Sequence, residues 1–339
     1  MNIVSQRSAA AIGLVAFFFV AFVFAATMSA QTQTPSPALL VLNKAANSLA
    51  IVDPATKQVV ARIDTGEGPH EVAASDDGKL AFVTNYGAKT PGNSLSVIDL
   101  VAQKEIHRVD LGALGRPHGV LFADGKVYLT AELNKLIARY DPDTNKVDWL
   151  LGIGQNRTHM LVRTKYLNEI FTSNVDSGTV TAIEKSSDPS GWKETDIAVG
   201  KGPEGIDISP DDKEVWAANS GDGTVSVIDT AASKVTHTFN VHTKHSNRLK
   251  FTNDGKLALI SDPATNELII VDAATRKIVK QLEVGGGPGG ILIAPGDERA
   301  YVALAGDNAV AVIDLHKLEI TERIPTGPGP DGMAWAQAR

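Results

Sequence analysis

From about residue 38 onward, apolar residues come in short runs broken by clusters of Gly, Pro, Asp and Asn. This pattern predicts strands joined by turns; the apolar positions of helices would recur every three or four residues. One phrase repeats along the whole region. It opens on variants of Gly-Pro-x-Gly: Gly68-Pro69-His70-Glu71, Arg116-Pro117-His118-Gly119, Gly202-Pro203-Glu204-Gly205, Gly287-Pro288-Gly289-Gly290 and Gly329-Pro330-Asp331-Gly332. A first apolar strand follows, then a turn such as Asp77-Gly78-Lys79 or Asp254-Gly255-Lys256, where glycine supplies the positive φ of a tight hairpin. The second strand reads Phe82-Val83-Thr84-Asn85 or Val215-Trp216-Ala217-Ala218-Asn219. The third ends in Asp, as in Ser96-Val97-Ile98-Asp99 and Ser226-Val227-Ile228-Asp229, and the fourth runs to a glycine such as Gly66, Gly112, Gly200 or Gly285.

Aligned on His70, the equivalent residues are His118, His159, Glu204, Asn247, Gly289 and Asp331, at spacings of 48, 41, 45, 43, 42 and 42. Four short antiparallel strands per ~40–45 residues is the signature of a propeller blade. Second-to-fourth strand sets fall at 38–67, 80–112, 127–154, 168–200, 214–242, 257–285 and 300–326. The first set lacks an innermost strand, and residues 331–336 form an innermost strand with nothing after it. The expected fold is therefore all-β, a seven-bladed β-propeller of four-stranded antiparallel blades over residues 38–339, closed by the C-terminal strand joining the first blade. An open ring would expose two apolar blade faces at roughly 25 cal/mol per Å², so truncation after Pro328 is expected to be severely destabilising.

The motif Phe82-Val83-Thr84-Asn85 and the recurring Ser-Val-Ile-Asp resemble the YVTN family of β-propeller repeat proteins, over all seven repeats. Leu129-Thr130-Ala131-Glu132 and Ala303-Leu304-Ala305 depart from the motif by lacking its Asn. The resemblance implies the fold. Relatives of this architecture include surface and periplasmic binding proteins, lactonases, and the propeller parts of amine dehydrogenases and of copper and haem reductases, so it leaves the function open.

Ahead of the repeats, residues 9–26 carry no charge, follow Arg7 and precede the small-residue run Ala25-Ala26-Thr27-Met28-Ser29-Ala30. Residues 1–30 read as a secretory signal cleaved near Ala30, with an apolar stretch long enough that an uncleaved membrane anchor stays open. Residues 31–37 read as a flexible polar linker, and the remainder as periplasmic or secreted. Lys+Arg number 32 against Asp+Glu 39, giving a net charge of −7, and with no long run of like charge nucleic acid is not an expected partner. The chain has no cysteine, which excludes disulfides, iron–sulfur clusters and c-type haem attachment. Any metal must be held by His, Asp or Glu.

Antiparallel pairing of first and second strands gathers the His70-type positions on one rim, together with Asn43, Asn85, Glu132, Asn174, Asn219 and Asp262. The Asp residues that end third strands (Asp53, Asp99, Asp141, Asp229, Asp272, Asp314) gather on the other rim, where an Asp heading a tight turn accepts a backbone N–H. On the first rim, His70, His118, His159 and Glu204 stand on consecutive blades and can converge on one divalent metal suited to imidazole and carboxylate. Glu71 is the candidate general base. Arg157, Lys201, Arg248, Asn247, Asp331, Asn85, Asn174 and Asn219 are candidate ligand-binding groups. Against this stands strand parity: His70 has the parity of Val72 and Ala74, and His118 that of Val120 and Phe122, on the face that packs between blades. His107, His237, His242 and His316 fall on outer strands or turns, and His245 lies two residues before Asn247 on the same rim. Trp149, Trp216 and Trp335 read as core, and Trp192, in the insertion from Ser186, as exposed. Three functions follow: an exported module binding a small molecule or a protein through this rim; a metal-dependent enzyme, lactonase-like or an oxidoreductase component; and a structural envelope protein, in which contact with a membrane requires an uncleaved anchor.

Overall fold

The computed structural model describes residues 33–165, 169–187 and 191–337. The signal-peptide reading of residues 1–30 lies outside these, as do the first two residues of the linker and the middle of the insertion at 188–190.

Seven four-stranded antiparallel sheets follow one another along the chain. Blade two is representative, with strands Pro69–Ala74, Leu80–Gly87, Pro91–Asp99 and Lys104–Asp110 in sequential order. Blades three to seven begin at Pro117, Thr158, Pro203, Leu249 and Pro288. Blade one takes Ala38–Asn43, Ser48–Asp53 and Gln58–Asp64, and its innermost strand is the C-terminal Pro330–Ala336, paired with Ala38–Asn43 in the register Leu39↔Trp335 and Val41↔Met333. The ring thus closes as the repeats predict. The only helical segments among the described residues are two 3-10 turns, Lys44–Ala46 and Glu132–Asn134.

Seven apolar clusters hold the ring, each shared by consecutive blades. Val72, Val83 and Ile98 of blade two meet Leu40, Leu42 and Ile51 of blade one. Tyr301 and Val312 of blade seven meet Leu39, Val41 and Met333 across the closure. The middle strands supply both faces: the third strand of blade two reads buried from Leu95 to Ile98, whereas the fourth, Lys104–Asp110, is mostly exposed. Trp216 is fully buried between blades five and six against Phe239 and Phe251. Trp192, expected in solvent, is half-buried instead, because its ring packs 5.1 Å from that of Trp149 between the outer strands of blades three and four. The linker is also less free than its composition suggests, since the Thr34 hydroxyl donates to the Leu100 carbonyl and accepts from Gln103.

The lower rim is turn chemistry. Asp53, Asp99, Asp141, Asp229, Asp272 and Asp314 each accept backbone N–H groups two or three residues ahead.

Candidate functional site

The parity argument against the histidines fails at a bulge. In blade two, Pro69 pairs with Asn85 and Val72 with Val83, so the innermost strand spends one more residue than its neighbour over the same span. The same shift lies between Pro117 and Val120, Thr158 and Leu161, Pro203 and Gly205, Pro288 and Ile291, and Val41 and Asn43 opposite Asp331. Six of seven innermost strands are bulged where the His70-type residue sits; in blade six the strand starts only at Leu249, after Asn247. A bulge re-aims the side chain and breaks the two-residue alternation. These residues therefore point to the central channel while Val72 and its equivalents pack between blades.

Second-strand hydroxyls fix the bulges. Thr84 Oγ1 accepts the N–H of Glu71 and donates to the carbonyl of His118 on the next blade (2.6 Å). Thr130 joins Gly119 to His159 (2.7 Å), Ser173 joins Met160 to Glu204 (3.2 Å), and Ser261 joins Arg248 to Gly289 (2.8 Å). The strands approach so closely that a Cβ on Gly332 would lie 2.3 Å from the His70 carbonyl oxygen, and one on Gly290 2.2 Å from that of Asp331.

The re-aimed residues line a pit of about 220 Å³ whose walls are Lys44, His70, Tyr86, His118, Arg157, His159, Glu204, Asn247, Arg248 and Asp331. His118 is 2% and His159 3% exposed, their ring centroids 3.8 Å apart. His159 Nδ1 bonds Glu132 Oε1 (2.5 Å), whose Oε2 accepts the Tyr86 hydroxyl (2.6 Å). His159 Nε2 and His118 Nδ1 are buried without a hydrogen-bond partner, and one ligand atom from each of His118, Glu132 and His159 falls within 4.8 Å of the others. Glu204 Oε1 lies 3.9 Å from His159 Nε2 and accepts the Asn247 amide (2.8 Å). His245, half-exposed at the rim, approaches Glu204 Oε2 at 3.5 Å.

Burial and neighbouring cations hold His118 and His70 well below the ordinary imidazole range, so both are neutral near pH 7. Burial alone would raise Glu132, but the hydrogen bond and charge of His159 and the Tyr86 hydroxyl bring its carboxyl below the usual range. Tyr86 is pushed up to about 12 by burial and by Glu132. Asp331 rises to about 6 because burial outweighs the pull of Arg248.

Seven of the residues named as metal or ligand groups line this pit: His118, His159, Glu204, Asn247, Arg248, Asp331 and the half-exposed Arg157. His70 lines the pit with Nε2 bonded to Lys44 Nζ (3.0 Å), while its Nδ1 is buried without a hydrogen-bond partner, 3.3 Å from Asp331 Oδ2, and it stands outside the His118–Glu132–His159 group. Glu71 is not placed as a base: its Oε1 receives Nε (3.1 Å) and Nη2 of Arg248. Asn85, Asn174 and Asn219 do not reach the pit, because their amides donate to third-strand hydroxyls inside their own blades: Ser94 and Ser96, Thr179 and Thr181, Thr224 and Ser226. Lys201 lies on an exposed loop away from the pit. His107, His237, His242 and His316 are exposed.

Lys44, Tyr86 and Glu132 were missed as site residues. Pro117 pairs with Ala131 and Pro69 with Asn85, so Glu132 matches Tyr86 and not Asn85. The informative column is the residue that follows the partner of the first-strand proline, which is Lys44, Tyr86 and Glu132 on blades one to three. An alignment of the repeats on that column would have exposed it.

The model of the YNCE-like beta-propeller family matches residues 1–194, more than half of the chain. The chain belongs to the YNCE-like β-propeller family. The model of the Cytochrome D1 heme domain matches residues 119–296, also more than half, so this YNCE-like propeller belongs by its central blades to that propeller family too. A comparison with curated proteins gave no match. Among solved structures, a functionally unknown protein from Desulfotomaculum acetoxidans superposes with a TM-score of 0.75 at 13% identity, covering 90% of this chain and all (100%) of that one. A putative 6-phosphogluconolactonase from Bacteroides uniformis gives 0.73 at 14% identity (88% of this chain, 99% of that one). The dihydro-heme d1 dehydrogenase NirN gives 0.64 at 15% identity (89% of this chain, 76% of that one). At these identities the likeness is one of fold.

Proposed function

We propose that this YNCE-like propeller is an exported ligand-binding protein whose pit takes one divalent transition metal between His118, His159 and Glu132, with Glu204 as the facing carboxylate. The observation that carries the reading is the pair of adjacent, buried imidazoles with unpartnered nitrogens beside a buried carboxylate. An unsatisfied buried nitrogen costs about 1–3 kcal/mol, and coordination removes that cost. Neutral imidazole is also the ligating form. Two nitrogens with carboxylate oxygen suit Zn, Mn, Fe, Co or Ni. Asn247 orients Glu204, and Tyr86 orients Glu132, in the way outer partners orient metal ligands. The uncharged stretch at residues 9–26 supports export.

Haem is the occupant the second family match brings to mind, and the cavities fit it poorly. The pit is too small for a macrocycle. The wider funnel above it, about 580 Å³, has no His, Met, Cys or Tyr among its described lining residues to serve as axial ligand. A metal-dependent enzyme is the second reading, resting on the same buried His118–Glu132–His159 group; a metal with an open position would polarise a carbonyl of the bound ligand.

Elemental analysis of protein purified without chelator or affinity tag tests the site. Stoichiometric metal is expected, lost in His118→Ala/His159→Ala and bound at least tenfold more weakly in Glu132→Gln. Metal-free protein that takes up no Zn, Mn, Co or Ni on titration would refute it.

A further inference from the structure

The ring of inward-pointing residues is lopsided. Imidazoles fill it on blades two to four, whereas blade seven presents Gly289, which projects nothing. Beside it lies a funnel of about 580 Å³ over blades six, seven, one and two, walled largely by Gly, Ala and Pro, many of them from the Gly-Pro openings of the repeats. Three residues line both cavities: Lys44, Asn247 and Asp331. A Cβ on Gly289 would stand 3.4 Å from Asp331 Oδ1 and 3.6 Å from Asn247 Oδ1, so this glycine is the throat between the cavities.

The throat has a polarity of its own. Lys44 is the one cation that lines both spaces. Its ammonium uses one N–H on His70 Nε2 and has only a 3.9 Å approach to Asp331, which leaves donors for a ligand. Asn247 is already committed, its amide to Glu204 and its Oδ1 to Arg248 Nη1 (3.3 Å). Glu67 lines the funnel and is exposed to solvent. Small apolar walls above and a spare ammonium below describe an amphiphilic guest, and the volume lies in the usual ~300–1,000 Å³ range of small-molecule sites.

We infer that funnel and pit form one site for a small organic carboxylate, its apolar body over the glycine- and proline-rich wall of blades seven and one and its carboxylate at the throat on Lys44, beside the open face of Gly289. The inference deepens the ligand-binding reading but does not require the metal. Gly289 sets access, because a side chain as large as leucine there fills the throat, whereas a single Cβ meets only ordinary contact distances.

Phenylacetate and its neutral isostere phenylacetamide serve as probes, followed by isothermal titration and saturation-transfer NMR on chelated and metal-loaded protein. Phenylacetate is expected to bind at least tenfold more tightly than the amide. Lys44→Met should erase that preference and leave amide binding in place. Gly289→Leu should abolish binding of both, while Gly289→Ala, which has ordinary contact distances, retains it; circular dichroism and melting check that each variant is folded. Equal affinity for the two probes, no binding of either by the wild type, an unchanged preference in Lys44→Met, or full binding by folded Gly289→Leu would each overturn the inference. If Gly289→Leu does not fold, the Lys44→Met comparison decides. Metal content is read on the same samples: carboxylate binding with no metal refutes only the metal reading, and metal uptake with no carboxylate binding refutes only this one.

Discussion

Arg248→Met is the substitution whose cost follows most directly from the structure. Glu71 and Arg248 occupy the same place in their repeats, one residue past the His70-type position, where Gly119, Gly205, Gly290 and Gly332 stand in other blades. They belong to blades two and six, and they meet across the channel because the glycines of blades seven and one make room; a Cβ on Gly332 would come within 3.1 Å of Glu71 Oε2. Arg248 is 7% and Glu71 12% exposed at the side chain. Burial works against the guanidinium charge, but Glu71, Asp331 and Glu204 more than restore it, so Arg248 titrates above the usual arginine range. Removing one partner of such a pair leaves an uncompensated buried charge at about 3–5 kcal/mol. With an unfolding entropy of ~2.1 cal/mol/K per residue, a propeller of roughly 300 residues loses about 5–8 °C in melting temperature. Glu71→Gln/Arg248→Met removes both charges and should recover at least half of that loss. Thermal and urea unfolding of the single and double variants make the measurement, as a double-mutant cycle. A single-variant cost below about 1 kcal/mol, or a double variant no better than Arg248→Met, would show that the pair is solvated and does not act as a strut under the pit.

Other outcomes follow from the same geometry. Gly332→Ala forces a Cβ against the His70 carbonyl oxygen at 2.3 Å and should cost about 1–3 kcal/mol or more by overpacking, while Gly289→Ala costs little; paired melting curves compare them. Thr130→Val removes the hydroxyl that joins Gly119 to His159 and should cost about 1–3 kcal/mol, with metal affinity falling alongside stability. Truncation after Pro328 removes Met333 and Trp335 from the blade seven–one contact and should abolish cooperative unfolding; a sharp melting transition in the truncated chain would contradict closure. For chelated protein, Asp331 with its pKa near 6 holds a proton between about pH 4 and 6 that the unfolded chain has released, so its stabilising contribution is complete below about pH 4 and lost as pH rises through 6. Asp331→Asn should therefore be more stable than wild type at pH 7.5, by up to about 3 kcal/mol, with the gap closing toward pH 4. The neutral, depressed His70 and His118 act with the opposite sign, losing stability as pH falls below about 6.5, so urea midpoints are compared between the two proteins at each pH.

The repeat spacing determined blade number, strand order and closure, because each blade must bury both faces against neighbours and only a ring of equivalent units does so throughout. The sequence also marked the rim, since His70, His118, His159, Glu204, Asn247 and Asp331 share one register. It could not say which way those side chains point. Alternation sent His70 and His118 between the blades, and the bulge that turns them inward shows only when Thr84 and Thr130 are seen bonded to the strand of the next blade. Nor could it separate a pit-lining Asn247 from Asn85, whose amide is spent on third-strand hydroxyls, or a free carboxylate from Glu71, whose partner lies 177 positions away. Spacing within a repeat is local and legible in one dimension. Which groups are left without a partner at the centre of the ring depends on contacts among all seven blades, and the tertiary structure alone decides it.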